Sequence, residues 1–358
     1  MPVRISIFGK TDLGRTRDHN EDTFLVADLT RQRASLQPEV REHEVGERGS
    51  LLMVADGMGG AAAGELASAM AAQEIYEYLM RVWTGDGERT AERFAGRLKE
   101  AVEHANARLY EYAAAHPEVR GMGTTVTAAG VWGGELYLTQ VGDSRGYLVR
   151  GGEAIQLTKD QSLMQRLVDA GELTEEEAER SERRNIILQA LGPDPRVKVD
   201  LTRQALRRDD LLVLCSDGLS GVVRKDEIAA FATRHGDDLP AFCGALIDLA
   251  NERGGPDNVT VVAARFDGDG LGVAGHGDGV GYQRFALPDG EPITMEHAVD
   301  PTVDPTGAPT GAPTGAPAGA AAEASAVTSP ERTGPRPAAV AIGLLALLGL
   351  LTLYLVLR

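Results

Sequence analysis

The amino-acid sequence predicts an α+β domain in which sheets pack on sheets and helices lie outside them. Three observations point that way. Up to Phe266, short hydrophobic runs of strand character recur at close intervals. Gly-Gly pairs at 133–134 and 151–152 separate successive runs, as tight antiparallel hairpins require. Two long amphipathic segments interrupt the series.

In chain order, ISIFG, DTFLVADL and SLLMVAD read as strands. A first long helix is expected from Glu65 to about Trp83, where Leu66, Met70, Ile75, Leu79 and Met80 can form one apolar stripe. A second follows from Thr90 to about Ala115. TTVTAAGVW, ELYLTQVGD and GYLVRGG come next as strands, then a short helix at about Ser162–Ala170. The strand LLVLCSD, helices at about Lys225–Thr233 and Leu239–Asn251, and the strand NVTVVAARF complete the domain.

The chain has 358 residues, and a hydrophobic fraction of 43% is enough for a buried core. A net charge of −17 excludes a nucleic-acid binder of the usual basic kind. Phosphate chemistry stays open, because bound cations can reverse the local field. The cysteines are Cys215 and Cys243, with no CxxC pair. That argues against a disulfide framework or zinc site and suits a reducing cytosol. The opening MPVRISIFGK lacks the apolar run and cleavage site of a signal peptide.

Composition shifts near Asp267. The stretch 268–336 is rich in Gly, Pro, Ala and Thr and includes DPTGAPTGAPTGAPAGA, with a four-residue period. It lacks the large apolar side chains that offset ordering entropy, so a flexible linker is expected, with a reach of roughly 40–50 Å. Ala338 to Leu357 then runs twenty residues without a charge. At ~1.5 Å per residue this spans about 30 Å, so a transmembrane helix is expected at 337–358. Arg332 and Arg336 precede it and Arg358 follows, which favours a cytoplasmic domain at 1–267.

Hydrophobic runs end in acids. SLLMVAD-GMGG, LYLTQVGD-SR and LLVLCSD-GLSG place Asp56, Asp143 and Asp217 at the ends of such runs, and GGPD-NVTVV puts Asp257 at the head of one. A fifth cluster, RTRDHNEDTF, puts Arg17, Glu21 and Asp22 just ahead of a strand. A carboxylate at the mouth of a buried strand is costly unless paired or bound to metal. One Asp-Gly alone is an ordinary turn signal. Five acidic loops favour hard cations, Mg²⁺ or Mn²⁺, over Zn²⁺, since the nearby His19 reads as an exposed loop residue and Cys215 as core.

The ordered set R-x-x-N-E-D, D-G-M-G-G, G-T-T, G-D-S-R, S-D-G and D-N resembles the protein phosphatase 2C family, over about residues 4–266. The resemblance implies a four-layer αββα sandwich of two antiparallel sheets flanked by helix pairs. It implies a protein-serine/threonine phosphatase that uses two Mn²⁺ or Mg²⁺ ions, with a third, weaker one in bacterial members. Carried onto this chain, Asp56 bridges the two ions and the Gly57 carbonyl meets one of them. Asp217 and Asp257 bind the other, Glu21 acts through water, and Asp22 orients the shell. Asp143 shares the third ion with Asp217, Arg17 grips the substrate phosphate, and Asn258 and Thr124 either stand behind the ligands or are ordinary turn and strand residues. Water attacks phosphorus directly, without a phosphoenzyme. The implied partners are phosphorylated proteins and an opposing Ser/Thr kinase, with a monomeric catalytic domain on the cytoplasmic side of the cell membrane.

Two positions depart from the pattern. Met58 stands where many eukaryotic relatives carry His, and Gln161 where the family often has His. Neither alters the metal set. Residues 161–191 include the acidic run GELTEEEAERSERRN, a solvated helix face by charge and a mobile flap by resemblance. Two other functions compete: a dedicated phosphatase for an anti-sigma-factor antagonist, and a non-catalytic pseudophosphatase scaffold at the membrane. Intact acids at every metal position argue against the scaffold.

Overall fold

The computed structural model describes residues 2–287, apart from positions 182, 184 and 276. Its first strands are β1 (Arg4–Asp12), β2 (Asp22–Asp28), β3 (Arg33–Ser35), β4 (Arg41–Glu44) and β5 (Ser50–Met58). Helices α1 (Ala61–Arg81) and α2 (Ala91–Ala115) precede β6 (Gly123–Thr124), β7 (Val126–Trp132), β8 (Glu135–Val141), β9 (Arg145–Arg150) and β10 (Glu153–Gln156). Then come α3 (Leu163–Asp169), α4 (Glu175–Glu179), β11 (Asp200–Ala205) and β12 (Leu211–Cys215). The series closes with α5 (Asp217–Ser220), α6 (Lys225–His235), α7 (Leu239–Glu252) and β13 (Val259–Asp267).

The strands form two antiparallel sheets. One runs β10-β9-β12-β13-β1-β4; the other runs β11-β8-β7-β5-β2-β3, with β6 pairing on β5. Side chains alternate across each strand and so feed different cores. On β5, Leu51, Met53 and Ala55 join a core with Leu79, Trp83, Phe94 and Leu98 of the α1–α2 region. Leu52 and Val54 join the core between the sheets, opposite Leu212, Leu214, Val262 and Phe266. On β12 and β13, Val213, Cys215, Val261 and Ala263 face Ile228, Phe242 and Leu246 of α6 and α7. These cores make four layers, helix pair, sheet, sheet, helix pair. Because both sheet faces are covered, the central strands read as near-continuous apolar runs.

Both Gly-Gly pairs turn hairpins, β7–β8 and β9–β10, with positive φ at each glycine as type I′ turns need. Thr90, Ser162 and Asp238 cap α2, α3 and α7 by accepting backbone N–H groups in the first turn. α1 starts at Ala61, four residues before the expected Glu65. Its additional turn contains Gly64, and a Cβ there would lie 1.9 Å from Glu21 Oε2, so only glycine lets this turn approach the acids.

The expected linker does not begin at residue 268. Leu271 is buried, and Asp278 pairs with Arg207 through bonds of 2.8 and 2.9 Å. Arg203 N–H donates to Gln283 O and Phe285 N–H to Leu201 O, so residues 283–285 line the edge of β11. Phe285 meets the Tyr137 ring edge-on at 5.5 Å between centroids. Residues 268–287 are therefore a strap that covers an otherwise open sheet edge. Its anchors are backbone amides and a few isolated side chains, which a Gly-rich composition conceals. The rest of the expected linker, and the transmembrane helix expected at 337–358, lie outside the described residues. Among the described residues, no helix is long and apolar enough to cross a membrane.

Candidate metal centre and active site

The sheets deliver the acids to one edge of the sandwich. Asp22 on β2 stands opposite Asp56 on β5 in the antiparallel register. Asp217 opens α5 directly after β12, while Asp257 and Asn258 lead into its neighbour β13. Asp143 lies in the loop from β8 to β9. The carboxylates feel one another strongly, Asp56 the charges of Asp22, Asp217, Asp143 and Asp257, and Asp217 that of Asp257.

The charged forms are strained. Burial, then the fields of Asp22, Asp217, Asp143 and Asp257, lifts Asp56 well above the ordinary carboxylate range. Burial pushes Asp22 up to about 7, against hydrogen bonds from Thr260 and Ser216. Asp143 rises to about 8 through burial and the charges of Asp217 and Asp160. Asp217 and Glu21 are also raised, with burial the leading cause in each. Asp56 and Asp217 lie deep among protein atoms yet keep part of their surface open, an arrangement that can admit an ion. Protons or cations must neutralise such a cluster.

The donor set fits Mn²⁺ or Mg²⁺. Asp22 Oδ1 and Asp143 Oδ1 are buried without a hydrogen-bond partner among the described residues, a costly state that a cation relieves. Every candidate ligand is an oxygen, as hard cations prefer. Among the described residues, no three Asp, Glu, His or Cys side chains stand close enough for a finished cage.

Polar side chains fix the surrounding loops. Asn258 accepts the Glu21 N–H at 2.8 Å and donates to the carbonyls of Leu13 and His19 at 2.9 and 3.0 Å. Thr124 Oγ1 donates to the Asp56 carbonyl at 2.9 Å. Both therefore brace the backbone beside the candidate acids. Asp22 Oδ2 accepts the Ser216 hydroxyl at 2.7 Å and the Thr260 hydroxyl at 2.6 Å. Sequence reasoning missed these two hydroxyls, although Ser216 belongs to the S-D-G motif. Arg17 Nη2 lies 2.8 Å from Asp257 Oδ2, so its guanidinium rests on the cluster. His19 and Met58 are exposed.

A groove of about 750 Å³ opens from this cluster, lined by Arg17, Asp143, Arg145, Lys159, Asp217 and Asp257 among others. A second cavity, of about 420 Å³ between β11 and the strap, contains none of the acids. Cys215 and Cys243 are buried, and burial pushes both thiols up to about 12, so neither is a ready nucleophile.

Residues 33–254 match the family model described as "Protein phosphatase 2C". The chain belongs to the protein phosphatase 2C family. It is 35% identical over 259 residues to the serine/threonine phosphatase stp of Listeria monocytogenes, covering 72% of this chain and 94% of that protein. It is 42% identical over 214 residues to the serine/threonine protein phosphatase PstP of Mycobacterium tuberculosis, covering 60% of this chain and 40% of that protein. Among solved structures, it resembles the serine/threonine phosphatase Stp1 of Staphylococcus aureus, with TM-score 0.64 and 32% identity over 73% of this chain and 95% of that one. The catalytic domain of PstP in complex with two manganese ions aligns with TM-score 0.60 and 34% identity, over 74% of this chain and all of that one. As a protein phosphatase 2C member, this chain is a protein-serine/threonine phosphatase whose cofactor is Mn²⁺ or Mg²⁺.

Proposed function

We propose that this phosphatase hydrolyses phosphoserine and phosphothreonine on proteins by direct attack of water. Asp56, Asp217, Asp257 and the Gly57 carbonyl would hold two Mn²⁺ or Mg²⁺ ions, with Glu21 acting through water and Asp22 orienting the set. Asp143 and Asp217 would hold a weaker third. When bound, such ions supply charge that makes water a better nucleophile and neutralises phosphate oxygens. The observation that carries this reading is the buried acid cluster, with its raised carboxylates and unpartnered oxygens, opening directly on the groove.

The chain's own residues do the rest. Arg17 presents a planar, permanently charged fork at the groove and suits a phosphate dianion. Ser216 and Thr260 hold Asp22 Oδ2, while Oδ1 has no hydrogen-bond partner among the described residues. Turnover in oxygen-18 water tests the direct attack. Released phosphate should carry one heavy oxygen, with no phosphorylated form of the protein in single turnover; a trapped phosphoenzyme would overturn the mechanism.

The finer biology follows from sequence. The uncharged run Ala338–Leu357 supports a single-pass membrane anchor with the catalytic domain cytoplasmic, and a phosphatase placed there suits opposition to a Ser/Thr kinase. Full-length protein should then sediment with membranes and resist high salt and carbonate. Release by carbonate would remove the anchor from this reading.

A further inference from the structure

The excursion from residue 161 to 189, which carries α3 and α4, leaves and rejoins the domain at one point. Two glutamine amides hold that point. Gly142, the residue before Asp143, donates its N–H to Gln161 Oε1 at 2.9 Å and accepts the Gln161 N–H at 2.9 Å. Gln189 Nε2 donates to the same Oε1 at 2.9 Å. Gln161 Nε2 lies 3.4 Å from the carbonyls of both Gln140 and Lys198. Gln189 in turn closes on Lys198, donating to its carbonyl at 2.8 Å and accepting its N–H at 2.7 Å. The Gly142 N–H needs an acceptor, which sets the orientation of the Gln161 amide.

The surrounding backbone leaves little slack. Leu188 N–H donates to Gln161 O at 2.8 Å and Leu163 N–H to Ile186 O at 2.9 Å, so the excursion is zipped at its base. Gly142 has φ +104°, and a Cβ there would lie 2.6 Å from Thr125 Cγ2. Just beyond, Leu191 exchanges backbone bonds with Thr124, whose hydroxyl donates to the Asp56 carbonyl. Met164, Gln165, Val168 and Arg180 of the excursion line the groove.

We propose that Gln161 and Gln189 are positioning residues for the cation centre: an amide clamp that joins the Asp143 loop to both ends of the groove-lining excursion, so that the placement of Asp143 depends on where the excursion sits. The clamp rests on the reading of Asp143 as a cation ligand. Partners one step behind a ligand commonly change metal affinity by about 10–100-fold when removed.

The test is a calorimetric Mn²⁺ titration of the full-length protein and of Gln161→Met, Gln189→Met, the double variant and Asp143→Asn, with melting temperature and kcat measured alongside. Each glutamine variant should weaken the weakest Mn²⁺ class about 10-fold and leave the tighter classes in place. High Mn²⁺ should restore kcat. The double variant should cost no more than the worse single one, because the amides act as a unit. Unchanged Mn²⁺ affinity in both single variants, with the weak class lost in Asp143→Asn, refutes the clamp and leaves the Asp143 reading intact. An Asp143→Asn protein that keeps every Mn²⁺ class removes the Asp143 reading and the clamp with it. Loss of all classes together with a large fall in melting temperature, in both single variants, reduces the amides to a structural role and also refutes the clamp.

Discussion

Burial and four neighbouring carboxylates all act against the charge of Asp56. Asp56→Asn and Asp217→Asn should therefore lower phosphatase activity by on the order of 10²–10³-fold or more, as loss of preorganised charge stabilisation does. The same substitutions should raise the melting temperature of the metal-free protein, since each removes repulsion. A variant that keeps full turnover would refute the assignment of these acids. Arg17→Ala should cut kcat/KM for a phosphopeptide by roughly 10–100-fold, the scale of a lost charge-assisted hydrogen bond. Much of that loss should fall in KM, and the tighter Mn²⁺ affinities should hold; a variant that loses Mn²⁺ but keeps its KM would reverse the assignment. The acids were legible in sequence because a carboxylate at the end of a buried strand is anomalous. Ser216, Thr260 and Gln161 were not, because hydroxyls and amides are ordinary at strand ends. Their meaning comes from pairings such as Ser216 with Asp22, which lie 194 positions apart.

The same contrast holds for whole elements. Every strand buried on both faces announced itself as an apolar run. Besides the two-residue β6, whose Thr124 merges with the TTVTAAGVW run in sequence, the strands without an apolar signal are β3, β4, β10 and β11, the four outer strands of the two sheets. Edge strands are short and polar, so period-two hydrophobicity fades there. The α4 segment reads in sequence as a solvated acidic face and, by resemblance, as part of a mobile flap, and its Thr174–Glu177 capping box marks a helix start that neither reading uses. The strap escaped for a related reason, and its loss has a consequence. A chain ending at residue 267 would uncover the β11 edge and forfeit Leu271 and Phe285, so it should melt several degrees lower and aggregate. A chain ending at 287 should keep full kcat on a soluble phosphopeptide. Equal melting temperatures for the two would show that the strap contributes nothing. Phe285→Ala in the longer chain should cost about 1–2 kcal/mol, less than a fully buried phenylalanine, with kcat unchanged.

At the scale of the molecule, the acid cluster makes folding and cation binding compete with protons. Asp22, Asp56, Asp143 and Asp217 hold protons in the metal-free fold at pH values where the unfolded chain has released them. For a raised carboxyl pKa, stability falls as pH rises from the unfolded value through the folded one. The metal-free melting temperature should thus decline between about pH 5 and 8, the window set by Asp22 near 7 and Asp143 near 8. Carboxylates lowered by partners, such as Glu227 beside Arg253, lose their contribution only at more acid pH. His43, lowered by burial, acts in the opposite sense but is one group against four. Saturating Mn²⁺ should flatten or reverse the slope, and a slope unaffected by Mn²⁺ would show that the acids do not bind it. The most direct measurement is the rate of phosphate release from a phosphothreonine peptide as Mn²⁺ is titrated into chelator-treated protein, for the wild type and Asp56→Asn side by side. Wild-type activity should rise from zero to saturation while the variant stays near background throughout; turnover without added cation, or a variant that saturates like the wild type, would contradict the metal centre.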